Sequence, residues 1–192
     1  VFETQSAVNF PTEHPLHAGF NVSEAIREAD LVLAIAAGTP WNPQRTNPRP
    51  DAKILFIDSQ ALYQQFPYWN YRADMIVAAD PLLALEALVA NLKIKRPAPA
   101  TLATRFDHWK AKHDQMLASW DREALKSQQK KPIDPQWLCY TINKWLPPDA
   151  MVVRETTSDA PAVTRYIRST KPGNFYRGNM KGLGAGMGVA LG

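Results

Sequence analysis

Two hydroxyl side chains in the second half of the chain are suited to binding a phosphate. Thr157 and Ser158 follow the short apolar run that ends at Arg154, and a helical pattern begins just after them. The amides of a helix's first turn and its positive dipole end attract anions, so hydroxyls beside that turn add donors to the same site. The alternative is that Ser158 or the neighbouring Asp159 only caps the helix. The residues alone leave both interpretations open.

A second stretch, GLGAGMGVALG at 182–192, holds five of the nine glycines of the chain. It fits neither the P-loop pattern nor the dinucleotide-binding pattern, because its glycines fall on every second position from Gly182 to Gly188. A glycine inside a helix costs about 1 kcal/mol relative to alanine. The run therefore predicts that a flat group lies against this backbone. A tightly packed helix start is the alternative.

The other candidates for chemistry are scattered. His14 and His17 have no cysteine or carboxylate at a metal-ligand spacing, which favours a loop-anchoring role over zinc binding. Asp58 follows an apolar run, where a Rossmann-like domain often binds a ribose, but no glycine fingerprint precedes it. Cys139, the single cysteine, excludes an internal disulfide and fits inert packing in a reducing cytoplasm.

Composition and charge narrow the class of protein. With 45% hydrophobic and 21% charged residues the chain is typical of a globular protein. No apolar run approaches the roughly 20 residues of a membrane helix. The net charge of +4 comes from the segment Lys93–Lys131, which has ten basic and four acidic residues. We interpret this segment as a solvated basic helix face rather than a nucleic-acid site.

The first half of the chain has an α/β rhythm. Ser23 is a plausible N-cap for a helix, and LVLAIAA after it is typical of a parallel strand covered on both faces. KILFIDSQ and ADMIVAAD predict two further strands, and PLLALEALVANL predicts a closing helix. Strands that alternate with helices predict a Rossmann-like, doubly wound parallel sheet for residues 1–95.

The second half begins with a linker at 96–133 that contains an amphipathic helix from about Leu102 to Lys126. Its apolar stripe consists of Leu102, Phe106, Trp109, His113, Met116 and Trp120. Residues 134–192 then predict a helix stopped by Pro147 and Pro148, followed by the first strand and helix of a second α/β domain, with the strand at Met151–Arg154.

In their order and spacing, these pieces resemble the thiamine diphosphate-dependent decarboxylase and carboligase family. FPTEHPLHAGF, AIREADLVLAIAAG, KILFIDSQ and ADPLLALEAL are similar to its central domain. LPPDAMVVRETTSDA and GLGAGMGVALG are similar to the opening of its diphosphate-binding domain. The glycine-rich stretch is most similar to benzoylformate decarboxylase-like members, whereas acetolactate synthases more often have methionine where Leu183 stands.

The resemblance implies a site for thiamine diphosphate, with Mg²⁺, in the intact protein. Leu183 matches the residue that holds this cofactor in its bent conformation. The backbone of Lys181, Gly182 and Leu183 would hydrogen-bond the pyrimidine edge, and Thr157 and Ser158 match positions that contact the diphosphate. The family's metal motif and its pyrimidine-protonating glutamate are not among these 192 residues. We therefore expect the interior of a longer gene, with no catalytic and no metal-binding residue in this fragment.

Three positions need separate comment. Glu155 matches an acidic residue of the family, but a carboxylate repels a diphosphate, so we assign it no ligand role and expect it to orient the turn. Lys181 stands where many members have glycine, and Gly188 stands where many have proline. We expect both to act through the backbone.

Members of the family decarboxylate 2-oxo acids and either release an aldehyde or join the remaining fragment to a second carbonyl. The resemblance thus implies a cytoplasmic fragment of such a lyase or transferase, inactive alone, with a small 2-oxo acid as substrate and no nucleic-acid or membrane partner. Relatives pair their subunits, which implies a homodimer or homotetramer for the intact protein. The alternative is a non-catalytic α/β module that binds a nucleotide or serves assembly.

Overall fold

The computed structural model describes residues 1–3, 8–60, 71–177 and 184–191. The chain divides into two compact units, one formed by residues 1–20 with 103–192 and the other by residues 21–102. In the part of the chain described here, no helix has the length and apolar character needed to cross a membrane. In chain order the elements are α1 (Ala25–Glu28), β1 (Leu31–Ile35), β2 (Lys53–Asp58), β3 (Met75–Ala78), α2 (Pro81–Ile94), α3 (Pro99–Lys126), α4 (Pro135–Asn143), β4 (Val152–Arg154), α5 (Ala160–Tyr166), β5 (Phe175–Arg177) and α6 (Ala185–Leu191).

The three strands predicted for the first half form one parallel sheet in the order β1-β2-β3. Leu31 of β1 lies opposite Lys53 of β2, and Leu55 of β2 lies opposite Met75 of β3. The predicted closing helix is α2, which begins after Asp80. The sequence-based prediction of a Rossmann-like α/β fold with a parallel sheet is therefore confirmed.

Among the described residues, the two faces of this sheet are buried to different extents, and Ile57 of β2, on the face opposite Phe56, is buried as well. Ala34 of β1 and Phe56 of β2 are buried in a cluster with Ile26, Trp41 and Ile54. On the opposite face of β1, Leu31 is 55% exposed and Leu33 is 37% exposed. Among the described residues, the second face of β1 is therefore less covered than the prediction of a strand buried on both faces requires.

The predicted start of the first helix is also wrong. α1 is a single turn with Glu24 at its N-cap, and Glu24 makes no side-chain capping bond. Ser23 instead belongs to the preceding turn, where its amide donates to Asn21 Oδ1 at 3.0 Å. Its carbonyl oxygen accepts a hydrogen bond from Thr46 Oγ1 at 3.2 Å. Ser23 is thus held by loop contacts that a local capping pattern does not reveal.

The predicted amphipathic helix is α3, which begins three residues before Leu102. Its stripe is buried only in part. His113 is buried, whereas Leu102 is 47% and Phe106 is 40% exposed. The apolar spacing therefore identifies the helix correctly but overstates how far along it the buried face extends.

In the other unit, β4 pairs in parallel with β5, a strand that the sequence did not predict. α4 ends at Asn143, which is earlier than the predicted stop at Pro147 and Pro148, because Lys144 closes the helix as its C-cap. The core cluster of this unit consists of Ala124, Cys139, Ala162, Tyr166 and Ile167.

Tyr166 is the largest side chain in that cluster and is 1% exposed. Its hydroxyl donates to the Trp120 carbonyl oxygen at 2.9 Å and lies 3.3 Å from Gln136 Oε1. Burial, followed by the negative charge of Glu123, raises the pKa of Tyr166 to about 12. The folded protein therefore holds the phenolic proton more tightly than the unfolded chain does.

We expect replacement of Tyr166 by phenylalanine to lower the free energy of unfolding by about 1 kcal/mol near neutral pH, through loss of the hydroxyl's hydrogen bonds. Because the pKa is raised in the folded state, the stability contributed by this proton is complete below about pH 10 and is lost as the pH rises towards about 12. Urea unfolding of both proteins between about pH 8 and pH 11 measures this. If the difference in free energy of unfolding between the two proteins stays constant above about pH 10, the pKa of Tyr166 is not raised in the folded state.

Candidate functional site

The turn between β4 and α5 carries the two hydroxyls predicted to bind phosphate. Thr157 and Ser158 are both exposed. Asp159 is the N-cap residue of α5, but its side chain makes no capping hydrogen bond. The alternative in which Asp159 caps the helix through its side chain is therefore not what the structure shows.

The backbone amides of this turn differ from the sequence-based expectation. The Ala160 amide donates to the Thr157 carbonyl oxygen at 3.2 Å, and the Ala162 amide donates to the Asp159 carbonyl oxygen at 3.0 Å. Pro161 has no amide hydrogen to donate. These two amides at the start of α5 are therefore already used, and the hydroxyls of Thr157 and Ser158 are exposed beside them.

Glu155, the first residue after β4, connects this turn to the glycine-rich stretch. Its Oε1 accepts hydrogen bonds from the Gly184 amide and, at 3.1 Å, from the Ala185 amide. Its Oε2 accepts from the Gly186 amide at 2.9 Å. Glu155 therefore caps α6 from a position about 30 residues earlier in the chain. The two stretches predicted to bind a cofactor are thus adjacent in space.

The glycine-rich stretch contains the start of a helix, α6, but no residue of α6 is buried, so the tight packing of the alternative interpretation is not what the structure shows. Gly184 has φ +88°, which favours glycine, and α6 begins directly after it. The flat group against the backbone at Gly186 is the Glu155 carboxylate, since a Cβ there would lie 2.6 Å from Glu155 Oε2. Lys181, Gly182 and Leu183 lie outside the described residues, so their predicted contacts with a pyrimidine stay predictions.

His17 anchors a loop, as its sequence context predicted. It is completely buried, and its Nε2 lies 3.0 Å from Glu3 Oε2. Its Nδ1 accepts from the Gly19 amide at 3.3 Å, and the other ring nitrogen, Nε2, donates to Glu3. His113 of α3 donates from Nδ1 to the His17 carbonyl oxygen at 2.7 Å. This network holds the first residues of the chain against α3.

Asp58 and Cys139 have local roles. Asp58 Oδ1 accepts from the Gln60 amide at 2.9 Å, which forms the turn after β2. Cys139 is a buried free thiol, and burial, followed by the charge of Asp159, raises its pKa. Within the described ranges, no three His, Cys, Asp or Glu side chains are grouped so that they could hold a metal ion.

One solved structure is similar to nearly the whole chain. It is the X-ray structure of "a putative thiamin diphosphate-dependent enzyme" from Mycobacterium smegmatis, with a TM-score of 0.60 and 19% sequence identity over 95% of this chain. The likeness is one of fold. The chain spans 33% of the length of that structure. No protein-family profile and no curated protein matches the chain.

Sequence reasoning identified the turn but missed the partner of Glu155. It expected Glu155 to orient the turn, which stays a prediction, and the structure shows that the carboxylate binds the amides of α6. The signal was present in the alternating glycines, because Gly186 is required where the carboxylate approaches. The missing information was which group lies against that backbone.

Proposed function

We propose that this chain is part of a thiamine diphosphate-dependent enzyme that acts on a 2-oxo acid, by decarboxylation with or without carboligation to a second carbonyl. The observation that carries the proposal is the likeness of fold over 95% of the chain to a structure described as a putative thiamin diphosphate-dependent enzyme. In this proposal Thr157 and Ser158 bind the diphosphate, and Lys181, Gly182 and Leu183 contact the pyrimidine. Mg²⁺ accompanies the diphosphate, and the intact protein is a homodimer or homotetramer.

The described residues fit the diphosphate end of such a site. The two hydroxyls are exposed side by side in one turn, and the Glu155 carboxylate two residues before Thr157 already accepts three amide hydrogen bonds. Thiamine diphosphate, when bound, supplies the electron sink for cleavage next to a carbonyl. The part of Thr157 and Ser158 in that chemistry is to donate hydrogen bonds that fix the diphosphate and thereby the position of the reactive ring.

Calorimetric titration with thiamine diphosphate and Mg²⁺ tests the proposal. We expect weak binding by this chain and no turnover of 2-oxo acids. Replacing Thr157 by valine and Ser158 by alanine together should weaken binding by about tenfold or more, since each hydrogen bond to a charged group contributes about 1.5 kcal/mol or more. Thr156→Val, in the same exposed turn, is the matched control and should bind as the wild type does.

The comparison with thiamine, which lacks the diphosphate, completes the test. The double variant should lose affinity for thiamine diphosphate and not for thiamine. Equal affinity of the wild type for the two ligands would argue against a diphosphate site at this turn. Decarboxylation of a 2-oxo acid by the 192-residue chain would refute the expectation that this part of the enzyme is inactive alone.

A further inference from the structure

The carboxylate of Glu155 has an unusual position for a side chain next to a proposed diphosphate site. It is two residues from Thr157 in sequence, where its charge would oppose binding of an anion. It accepts hydrogen bonds from three consecutive backbone amides at the start of α6. Amide donors stabilise a carboxylate and offset its charge, as does the positive end of a helix.

The local sequence is built around this contact. A Cβ at residue 186 would lie 2.6 Å from Glu155 Oε2 and 3.1 Å from Glu155 Cβ, so only glycine admits the carboxylate here. A Cβ at Gly188, one further glycine along the same helix, would meet nothing within 4 Å. The two glycines therefore separate the contact with Glu155 from the general effect of glycine in a helix.

We propose that Glu155 is a positioning residue for the diphosphate of the cofactor. By binding the α6 amides, it fixes the turn that carries Thr157 and Ser158 and directs its own charge into those amides instead of towards the anion. The proposal rests on the proposed function above. It differs from simple capping of α6, which would stabilise the helix without affecting one ligand more than another.

Two substitutions separate the position of the carboxylate from its charge. In Gly186→Ala the added Cβ displaces the Glu155 carboxylate, so that it no longer accepts from the α6 amides but keeps its charge near the turn. We expect this variant to bind thiamine diphosphate about tenfold more weakly. Adding Glu155→Gln to this variant removes the expelled charge and should restore part of the affinity. Gly188→Ala is the matched control and should bind as the wild type does. Thiamine, without the diphosphate, should bind all four proteins equally.

The measurements are calorimetric titrations of the 192-residue chain with thiamine diphosphate and Mg²⁺, and with thiamine. If Gly186→Ala weakens binding of thiamine diphosphate and of thiamine to the same extent, Glu155 only supports the fold. The same conclusion follows if adding Glu155→Gln restores no affinity for thiamine diphosphate. If Gly186→Ala does not fold, Glu155→Ala replaces it, and wild-type affinity in that variant would overturn the proposal. A wild type without diphosphate-dependent binding would overturn the proposed function and this inference together, whereas normal binding that is insensitive to Gly186→Ala would overturn this inference alone.

Discussion

Replacing His17 with leucine is expected to lower the free energy of unfolding by about 3 to 5 kcal/mol. His17 is completely buried, and its Nε2 donates to the Glu3 carboxylate, whose side chain is 5% exposed. Leucine fills a similar volume but donates no hydrogen bond. The Glu3 carboxylate would keep its hydrogen bonds from the Asn9 amide and, at 2.8 Å, from the Phe10 amide, and would lose its side-chain partner. A buried charge deprived of its partner is among the most destabilising consequences of a single substitution.

Urea unfolding followed by circular dichroism measures this effect, and His14→Leu is its control. His14 lies in the same loop but is exposed, and its Nδ1 accepts from the Leu16 amide at 3.1 Å. We expect His14→Leu to cost about 1 kcal/mol or less. A loss below about 1 kcal/mol for His17→Leu would mean that the Glu3 carboxylate reaches water when His17 is removed.

A double substitution distinguishes loss of the hydrogen bond to the buried Glu3 carboxylate from loss of packing. If the cost of His17→Leu comes from the stranded carboxylate, adding Glu3→Gln should recover part of the stability, because the amide is far less costly to bury than a charge. If the cost comes from lost packing of the imidazole ring, the two losses should simply add. His17 packs edge-on against Phe20 with ring centroids 5.4 Å apart, so the hydrogen bond to Glu3 and the ring packing both contribute. Comparing the two single variants with the double variant measures how large each contribution is.

The central sheet could be predicted from sequence because its signals are local. The apolar run at Lys53–Asp58 is bounded by turn-forming residues, and it is β2 in the structure. Asp80 before Pro81 is a helix-start pattern, and the Asp80 side chain accepts from the Leu82 amide at 2.9 Å. Each of these signals requires only neighbours in the chain, which one sequence supplies.

The degree to which each face of β1 is buried could not be predicted in the same way. The run that contains β1 is apolar at consecutive positions, which is typical of a strand buried on both faces. Burial also depends on what packs against each face, and the run itself does not contain that information. Leu31 and Ala34 therefore have the same apolar pattern in the sequence, but Leu31 is exposed and Ala34 is buried in the structure.

The candidate site was predictable only in part, for the same reason. The boundary between a strand and a helix placed Thr157 and Ser158 in one turn. The contact of Glu155 with α6 joins residues about 30 apart, and that of His113 with His17 joins residues 96 apart. Pairing between distant segments leaves no periodic pattern, so only its local consequences, such as the glycine at Gly186, are visible beforehand.

Replacing Phe56 with alanine is expected to lower the free energy of unfolding by about 3 to 5 kcal/mol. Phe56 is 2% exposed in the middle of β2, and its ring centroid lies 6.3 Å from that of Trp41 and 6.1 Å from that of Tyr71. Alanine would remove most of these contacts and leave a cavity among rings that cannot collapse fully into it. Urea unfolding followed by circular dichroism measures the loss.

Leu31→Ala is the matched control, because Leu31 belongs to the same sheet and is 55% exposed on the other face of β1. We expect it to cost about 1 kcal/mol or less, in proportion to the smaller area it buries. The comparison therefore tests whether the two faces of β1 differ in burial. If Leu31→Ala costs as much as Phe56→Ala, the second face of β1 is covered in solution, and the apolar run would be a doubly buried strand after all. If Phe56→Ala alone is costly, the stability of the sheet comes mainly from the cluster that contains Trp41 and Ile54.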